Sequence, residues 1–133
     1  MSPQFDHEKL KVYQMSLDFV ELAEAILEDV PKSKAVYGQL DRASTSIPLN
    51  IAEGNGKFTG PDRCRFFDIA RGFALECAAA LDVLQRKDLA MDGQVLEGKA
   101  CLLEIVSMLV GLVKSNSSDR VYEEQASYGE KLD

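Results

Sequence analysis

Tryptophan is absent from this chain of 133 residues, and histidine occurs only once. The three cysteines, Cys64, Cys77 and Cys101, are odd in number and widely spaced, which indicates neither a disulfide framework nor a CxxC metal site. The single histidine, His7, stands between two acidic residues and lacks the partners that a metal site needs. The sequence therefore predicts no metal, no cofactor and no nucleophilic catalysis.

Long apolar runs are missing as well. The most apolar stretch, from Ala100 to Val113, is interrupted by Glu104 and Ser107 and is too short to span a bilayer. The first residues lack the basic region and the apolar run of a signal peptide. Together with the unpaired cysteines, these features predict a cytoplasmic protein that does not bind a membrane.

Positive charge is scarce. The chain has 15 Lys and Arg residues and 22 Asp and Glu residues, which gives a net charge of −7. Nucleic-acid-binding proteins usually present a basic surface, so this balance argues against that function. The middle of the chain is nevertheless mildly basic around Lys57, Arg63 and Arg65. Two interpretations stay open for these residues: a solvated helix end, or a small rim that contacts phosphates of RNA or DNA. Aromatic residues could stack on bases if they are exposed; these are Phe5, Tyr13, Tyr37 and Phe58.

Helical periodicity is what the sequence has in abundance. Apolar residues recur at three- and four-residue steps in four segments, about 6–29, 33–57, 61–87 and 94–114. Pro31, a glycine-rich stretch and a break from Asp88 to Gly93 separate the segments. No strand pattern is present. The sequence predicts an all-α, up-down-up-down four-helix bundle over residues 1–115. An acidic tail follows over residues 116–133, and we expect it to be poorly ordered.

The first and fourth predicted helices carry more apolar surface than a single bundle buries. In the fourth helix, Leu96, Leu103 and Val110 lie on one side, while Leu102 and Leu109 fill another. Apolar surface in excess of the core usually meets a partner. We therefore expect copies of the chain to associate with one another.

The most distinctive segment is QLDRASTSIPLNIAEG at residues 39–54, followed by a basic turn and by RFFDIARGFALE at residues 65–76. This combination resembles the pattern of four-helix-bundle proteins related to the 23S rRNA intervening-sequence protein family, over about residues 5–114. Phe73 stands where that family usually has a serine. The resemblance implies a four-helix protomer and, commonly, a homopentameric barrel. Relatives include an accessory protein of diversity-generating retroelements, which looks like a partner of nucleic acid and reverse transcriptase. Those relatives tend to be basic, whereas this chain is acidic.

Polar residues of the same segment recur at helical spacing on the second and third predicted helices. They are Arg42, Ser46, Asn50 and Glu53 on the second helix and Arg65, Asp68, Gly72 and Glu76 on the third. Antiparallel packing about a turn near residue 59 pairs Arg42 with Glu76 and Glu53 with Arg65. We interpret the set as a buried polar seam that fixes the register of the two helices, with Gly72 allowing close approach. A ligand or partner site at the same residues is the alternative.

A pair of carboxylates, Glu53 and Glu76, could serve as general acid and base. Each has a basic candidate partner, and no nucleophile or oxyanion hole accompanies them, so we favour a protein that is not an enzyme. We expect a homo-oligomeric scaffold, a pentamer by resemblance, whose partners are its own copies and a nucleic-acid-processing protein. The alternative is direct binding of RNA or DNA through Lys57, Arg63 and Arg65.

Overall fold

Four helices make up nearly all of the part of the chain that the computed structural model describes, residues 4–117. A short 3₁₀ helix (Asp6–Lys9) precedes α1 (Lys11–Leu27), α2 (Ala35–Asn55), α3 (Gly60–Arg86) and α4 (Asp92–Asn116). Each helix packs against the next one along the chain, and α1 also packs against α4, which closes the bundle. The predicted all-α fold with four helices is confirmed, and no strand occurs between residues 4 and 117.

The predicted boundary between the bundle and the tail, at residues 115 and 116, lies at the end of the described part of the chain. The structure places Asn116, the first residue of the predicted tail, in the last turn of α4. Residues 118–133 lie outside the described part, so the order of the tail stays a prediction. Within residues 4–117, none of the helices combines the length and the unbroken apolar sequence that a bilayer crossing needs.

Local sequence explains where two of the helices begin. The Thr59 hydroxyl accepts a hydrogen bond of 3.2 Å from the backbone N–H of Asp62, and Pro61 occupies the first turn of α3, where no N–H is required. At the start of α4, the Gln94 side-chain oxygen accepts a hydrogen bond of 3.1 Å from the Met91 N–H. These contacts satisfy donors that a helix leaves without partners in its first turn.

The end of α3 is a Schellman motif built on an aspartate. The Leu89 N–H donates to the Leu84 carbonyl at 2.8 Å, and the Asp88 N–H donates to the Gln85 carbonyl at 3.1 Å. Asp88 has a φ of 57°, the left-handed conformation in which a Cβ is crowded. The motif reverses the chain so that α4 can run back along α3.

The core runs along the bundle axis and draws on all four helices. Its largest fully buried side chains are Phe19 and Ile26 from α1, Leu40, Ile47 and Ile51 from α2, Phe67, Leu81 and Leu84 from α3, and Leu102, Ile105 and Leu109 from α4. Full burial of a side chain of this size stabilises a fold by roughly 1.5–3 kcal/mol. Pro48 is buried within α2, which continues as one helix on both sides of it.

Candidate functional site

The contact between α2 and α3 consists of apolar side chains. Ile47 and Ile51 of α2 and Ala70 and Ala74 of α3 have no exposed surface. The charged residues that the sequence analysis assigned to a buried polar seam are exposed; they are Arg42, Glu53, Arg65, Asp68 and Glu76. The structure thus corrects this prediction, since these charges lie on the outside of the bundle.

On α2, the polar residues bond along their own helix. The Ser46 hydroxyl donates to the Arg42 carbonyl at 2.9 Å, and the Asn50 side-chain amide donates to the Ser46 carbonyl at 2.8 Å. Lys57 forms an ion pair of 3.4 Å with Glu53, one turn away on the same helix. Ser46 and Asn50 are half-exposed, and their side chains donate hydrogen bonds to carbonyls of their own helix. They therefore do not need α3 as a partner.

On α3, the same arrangement holds. Asp68 pairs with Arg71 at 2.9 Å, again on its own helix. A Cβ built on Gly72 would meet no atom of another helix within 4 Å, so this glycine does not allow the close approach of a neighbouring helix. The close approach occurs instead at Gly54, where an added Cβ would lie 3.0 Å from the ring of Phe67.

Arg63, which the sequence analysis counted among the nucleic-acid contacts, directs its donors into the protein. Its Nη1 donates to the Asn55 carbonyl at 2.6 Å, and its Nη2 donates to the Asn55 Oδ1 at 3.2 Å. Its Nε donates to the Asn116 Oδ1 at 2.8 Å, and the guanidinium lies 5.6 Å from the centroid of the Phe67 ring. The side chain caps the end of α2 and ties it to the end of α4. The prediction that Arg63 contacts phosphates of a nucleic acid is therefore wrong, because its donors bind groups of the protein itself.

Lys57 and Arg65 hold their charges at the surface beside one aromatic ring. The Lys57 Nζ lies 5.0 Å from the centroid of the Phe66 ring, and the Arg65 guanidinium lies 4.6 Å from it. Phe58, between α2 and α3, is fully exposed. The turn therefore presents two cations and a solvent-exposed aromatic side chain. Among the other aromatic residues considered, Phe5 is largely exposed, whereas Tyr13 and Tyr37 pack partly against the core.

An apolar groove of about 630 Å³ runs between α3 and α4. Leu75, Leu96 and Leu103 line it and are 49%, 73% and 73% exposed. Val95 and Leu102, one position before the two α4 leucines, are buried. The two apolar stripes predicted for the fourth helix are thus a core stripe and a surface stripe. Sequence reasoning missed Leu75, although its place outside the core stripes of α3 was a usable signal.

Polar side chains at the rim of the groove pair with one another. Lys99 on α4 bonds Asp82 on α3 at 2.7 Å, and the Gln85 side-chain amide donates to Asp92 at 2.9 Å. Both contacts bridge α3 and α4 at the solvent-exposed rim of the groove. The apolar side chains of Leu75, Leu96 and Leu103 stay exposed beside them.

Comparison with known proteins adds the following findings. Residues 8–111 match a family model described as 23S rRNA-intervening sequence protein. Among solved structures, a protein of unknown function from the S23 ribosomal protein family of Bacteroides thetaiotaomicron VPI-5482 is similar, with a TM-score of 0.72. It shares 24% identity, and the match covers 77% of this chain and 98% of that one, which establishes a common fold. No curated protein matches the chain.

Proposed function

Because this chain belongs to the 23S rRNA-intervening sequence protein family, we propose that it is a non-catalytic, homo-oligomeric scaffold in a nucleic-acid process. Its partners in this proposal are further copies of the chain and a nucleic-acid-processing protein, in the cytoplasm. The observation that carries the proposal is the exposure of large apolar side chains along the α3–α4 groove. Leaving such a surface in water is unfavourable, and contiguous apolar patches on soluble proteins commonly mark interaction sites.

The absence of catalysis in this proposal is supported by the surroundings of the two candidate carboxylates. Glu53 is exposed and paired with Lys57, and Glu76 is exposed on α3. General acid–base catalysis by two carboxylates needs environments that push their pKa values apart, usually through burial of one of them. Two carboxylates on the solvated outer surface fit ion pairing and solubility better than they fit that chemistry.

Five copies are the assembly that the family resemblance implies, and we propose that number for this chain. Light scattering on a size-exclusion column, with absorbance recorded at 260 and 280 nm, tests it on the full chain. A mass of five times 14.7 kDa, or a multiple of five, supports the proposal. A monomer or a dimer contradicts it. Because the chain has no tryptophan, nucleic acid that is carried through purification raises the 260 nm signal visibly.

A second candidate function is direct binding of single-stranded RNA or DNA at the turn between α2 and α3. Exposed Phe58 favours it, because an aromatic face can stack on any base while Lys57 and Arg65 approach the phosphates. Arg63 has no part in this candidate, since its donors bind Asn55 and Asn116. Only two cations remain at the turn, so the expected binding is weak and strongly dependent on salt.

Fluorescence anisotropy with labelled single strands of RNA and DNA separates the two candidates. Replacement Phe58→Ala is expected to weaken binding by roughly tenfold, the loss of one base stack. Met91→Ala is the matched control, because Met91 is 68% exposed at the turn between α3 and α4. Equal affinities of the wild type and both variants, or no binding at all in low salt, would exclude direct recognition at this turn and leave the scaffold role.

A further inference from the structure

The acidic tail leaves the bundle beside the turn between α2 and α3. Gly60, the first residue of α3, lies against the carbonyl of Asn116, and Arg63 donates to the Asn116 side chain at 2.8 Å. Residues 118–133 of the tail lie outside the described part and follow directly from this point. The turn between α2 and α3 is therefore a surface of the bundle that the tail meets first.

This turn presents an aromatic side chain and a cation that no carboxylate neutralises. Phe58 is fully exposed. Among residues 4–117, no carboxylate lies within 4 Å of the Arg65 guanidinium, whereas Lys57 has Glu53 as an ion-pair partner at 3.4 Å. An exposed ring beside cations fits an acidic segment that also carries an aromatic residue.

The tail contains a segment of that chemistry, Val-Tyr-Glu-Glu at residues 121–124, which is called the tail segment below. We propose that the tail segment binds the turn between α2 and α3 of the same chain. Tyr122 packs on the Phe58 ring in this contact, and the two glutamates lie beside the two cations of the turn.

The chain between α4 and the tail segment has a suitable length. Six residues lead from Asn116 to Tyr122, and an extended chain covers about 20 Å over that stretch. Phe58 stands two residues before Gly60, so their Cα atoms are at most about 7.6 Å apart. Since Gly60 lies against Asn116, the Phe58 ring is within reach. So short a connection gives an effective concentration on the order of millimolar, which populates even a weak contact.

Charge favours the turn over other surfaces of the bundle. Residues 118–133 carry five acidic and two basic residues. On α1, Asp18, Glu21 and Glu24 are exposed against a single basic residue, Lys11, so that helix repels the tail. The turn with its two cations attracts the same residues.

A nucleic-acid strand and the tail segment compete for the same side chains. The exposed face of Phe58 can stack on a base or on Tyr122, and the cations can face phosphates or carboxylates. The tail segment therefore inhibits binding of a strand at the turn. This inhibition rests on the second candidate function proposed above, whereas the contact itself does not.

Replacement Phe58→Trp gives a direct measurement of the contact in the full chain, because no other tryptophan is present. Quenching by acrylamide, which is uncharged, reports how far the indole ring is covered. Adding Glu123→Gln with Glu124→Gln should raise the quenching constant about twofold, the loss of a contact that is occupied about half of the time. Tyr122→Ala should have the same effect. About 1 M salt should also raise the constant, since the screening length falls to about 3 Å.

The matched control is Glu130→Gln with Asp133→Asn, which changes the charge of the tail equally outside the tail segment. It should leave the quenching constant unchanged, and circular dichroism checks that every variant folds. A constant that neither Tyr122→Ala nor the Glu123–Glu124 change raises would overturn the contact. An equal rise in the control would assign the effect to the total charge of the tail, and dependence on protein concentration would assign it to a second copy; both outcomes also contradict the proposal.

Binding of a labelled single strand of RNA is measured separately, with Phe58 in place. Glu123→Gln with Glu124→Gln should bind about twofold more tightly than the Glu130–Asp133 control, because the fraction of free turns doubles. If the tail segment covers the tryptophan but no strand binds, the contact stands and the second candidate function fails. Equal affinities of the two double variants would overturn the inhibition.

Discussion

A single guanidinium, that of Arg63, joins three helices at one end of the bundle. It lies on α3 and donates to Asn55 at the end of α2 and to Asn116 at the end of α4. Gly60, the first residue of α3, approaches the Asn116 carbonyl so closely that a Cβ would collide with it. The planar fork of arginine fits such divergent acceptors, whereas the ammonium of lysine is a single point charge.

We expect Arg63→Lys to lower the free energy of unfolding by about 1–3 kcal/mol, because partly buried acceptors on two helices lose their donor. Arg65→Lys is the matched control two residues away, where the side chain is exposed, and its effect should stay within about 0.5 kcal/mol. Urea denaturation followed by circular dichroism, at one fixed protein concentration, measures both. Equal effects of the two substitutions would contradict the role assigned to Arg63.

The three basic residues of this turn mark a limit of sequence reasoning. Lys57, Arg63 and Arg65 are alike in sequence, each close to a helix end and each next to a glycine, an aspartate or an aromatic residue. Whether a long basic side chain reaches outward or folds back onto carbonyls depends on where other helices end. For Arg63 that partner is Asn116, 53 positions away, which no local pattern connects to it.

The thiol of Cys77 belongs to the core and is chemically protected. Burial, and to a lesser degree the carboxylate of Glu76, raises its pKa to about 12. Burial raises the pKa of Cys64 and of Cys101 as well, but both side chains are partly exposed. The thiolate is the form that reacts with thiol reagents. At pH 8, a disulfide reagent should thus label Cys64 and Cys101 in the folded protein and reach Cys77 only after unfolding.

The same shift gives stability a dependence on pH. An unfolded cysteine ionises near pH 8.5, whereas folded Cys77 stays protonated up to about pH 12, so the unfolded chain loses the proton first. The contribution of this group is therefore complete below about pH 8.5 and declines as the pH rises toward 12. Comparison of the urea midpoints of wild type and Cys77→Ala between pH 7 and 10 checks this. The wild type should lose more stability than the variant over that range, and parallel curves would count against the burial of this thiol.

At the scale of the element, the periodicity of the sequence predicted the four helices. It did not predict which polar residues lie on their outer faces. Four apolar patterns with breakers between them lead to four helices, because the 3.6-residue period leaves little choice of structure. The polar stripe of α2 was misplaced because a four-residue polar spacing has two physical explanations. It can face another helix, or it can bond the carbonyls of its own helix, as Ser46 and Asn50 do. Only the structure distinguishes between these explanations.

The end of α3 provides a prediction for a single element. Asp88 occupies the left-handed position of a Schellman motif, where glycine has no Cβ to crowd the following carbonyl. We expect Asp88→Gly to raise the free energy of unfolding by about 0.5–1 kcal/mol, and Asp88→Val to lower it by more than that. Thermal and urea denaturation of the two variants measure the difference. If valine is tolerated as well as glycine, the turn does not have the left-handed conformation in solution.

At the scale of the whole molecule, α4 contributes one apolar stripe to the core and a second apolar stripe to the surface. Leu102 is 2% exposed and Leu103 is 73% exposed, although they are neighbours of the same type. The sequence indicated both stripes, but which of them faces the core depends on how α4 is rotated against α1 and α3. The same rotation that buries Leu102 exposes Leu103, so folding of one copy creates the apolar surface that the proposed association would bury.

This division of α4 predicts how stability varies with protein concentration. Association of folded chains stabilises them by mass action, so the Tm of the wild type should rise by several degrees over a hundredfold range of concentration. Leu103→Glu should abolish that rise while leaving the Tm of the dilute protein nearly unchanged. Leu102→Ala should cost about 2–5 kcal/mol of stability at every concentration, because it opens a cavity in the core, and it should retain the rise. A wild-type Tm that stays constant over the whole range would mean that the exposed stripe of α4 does not hold copies of the chain together.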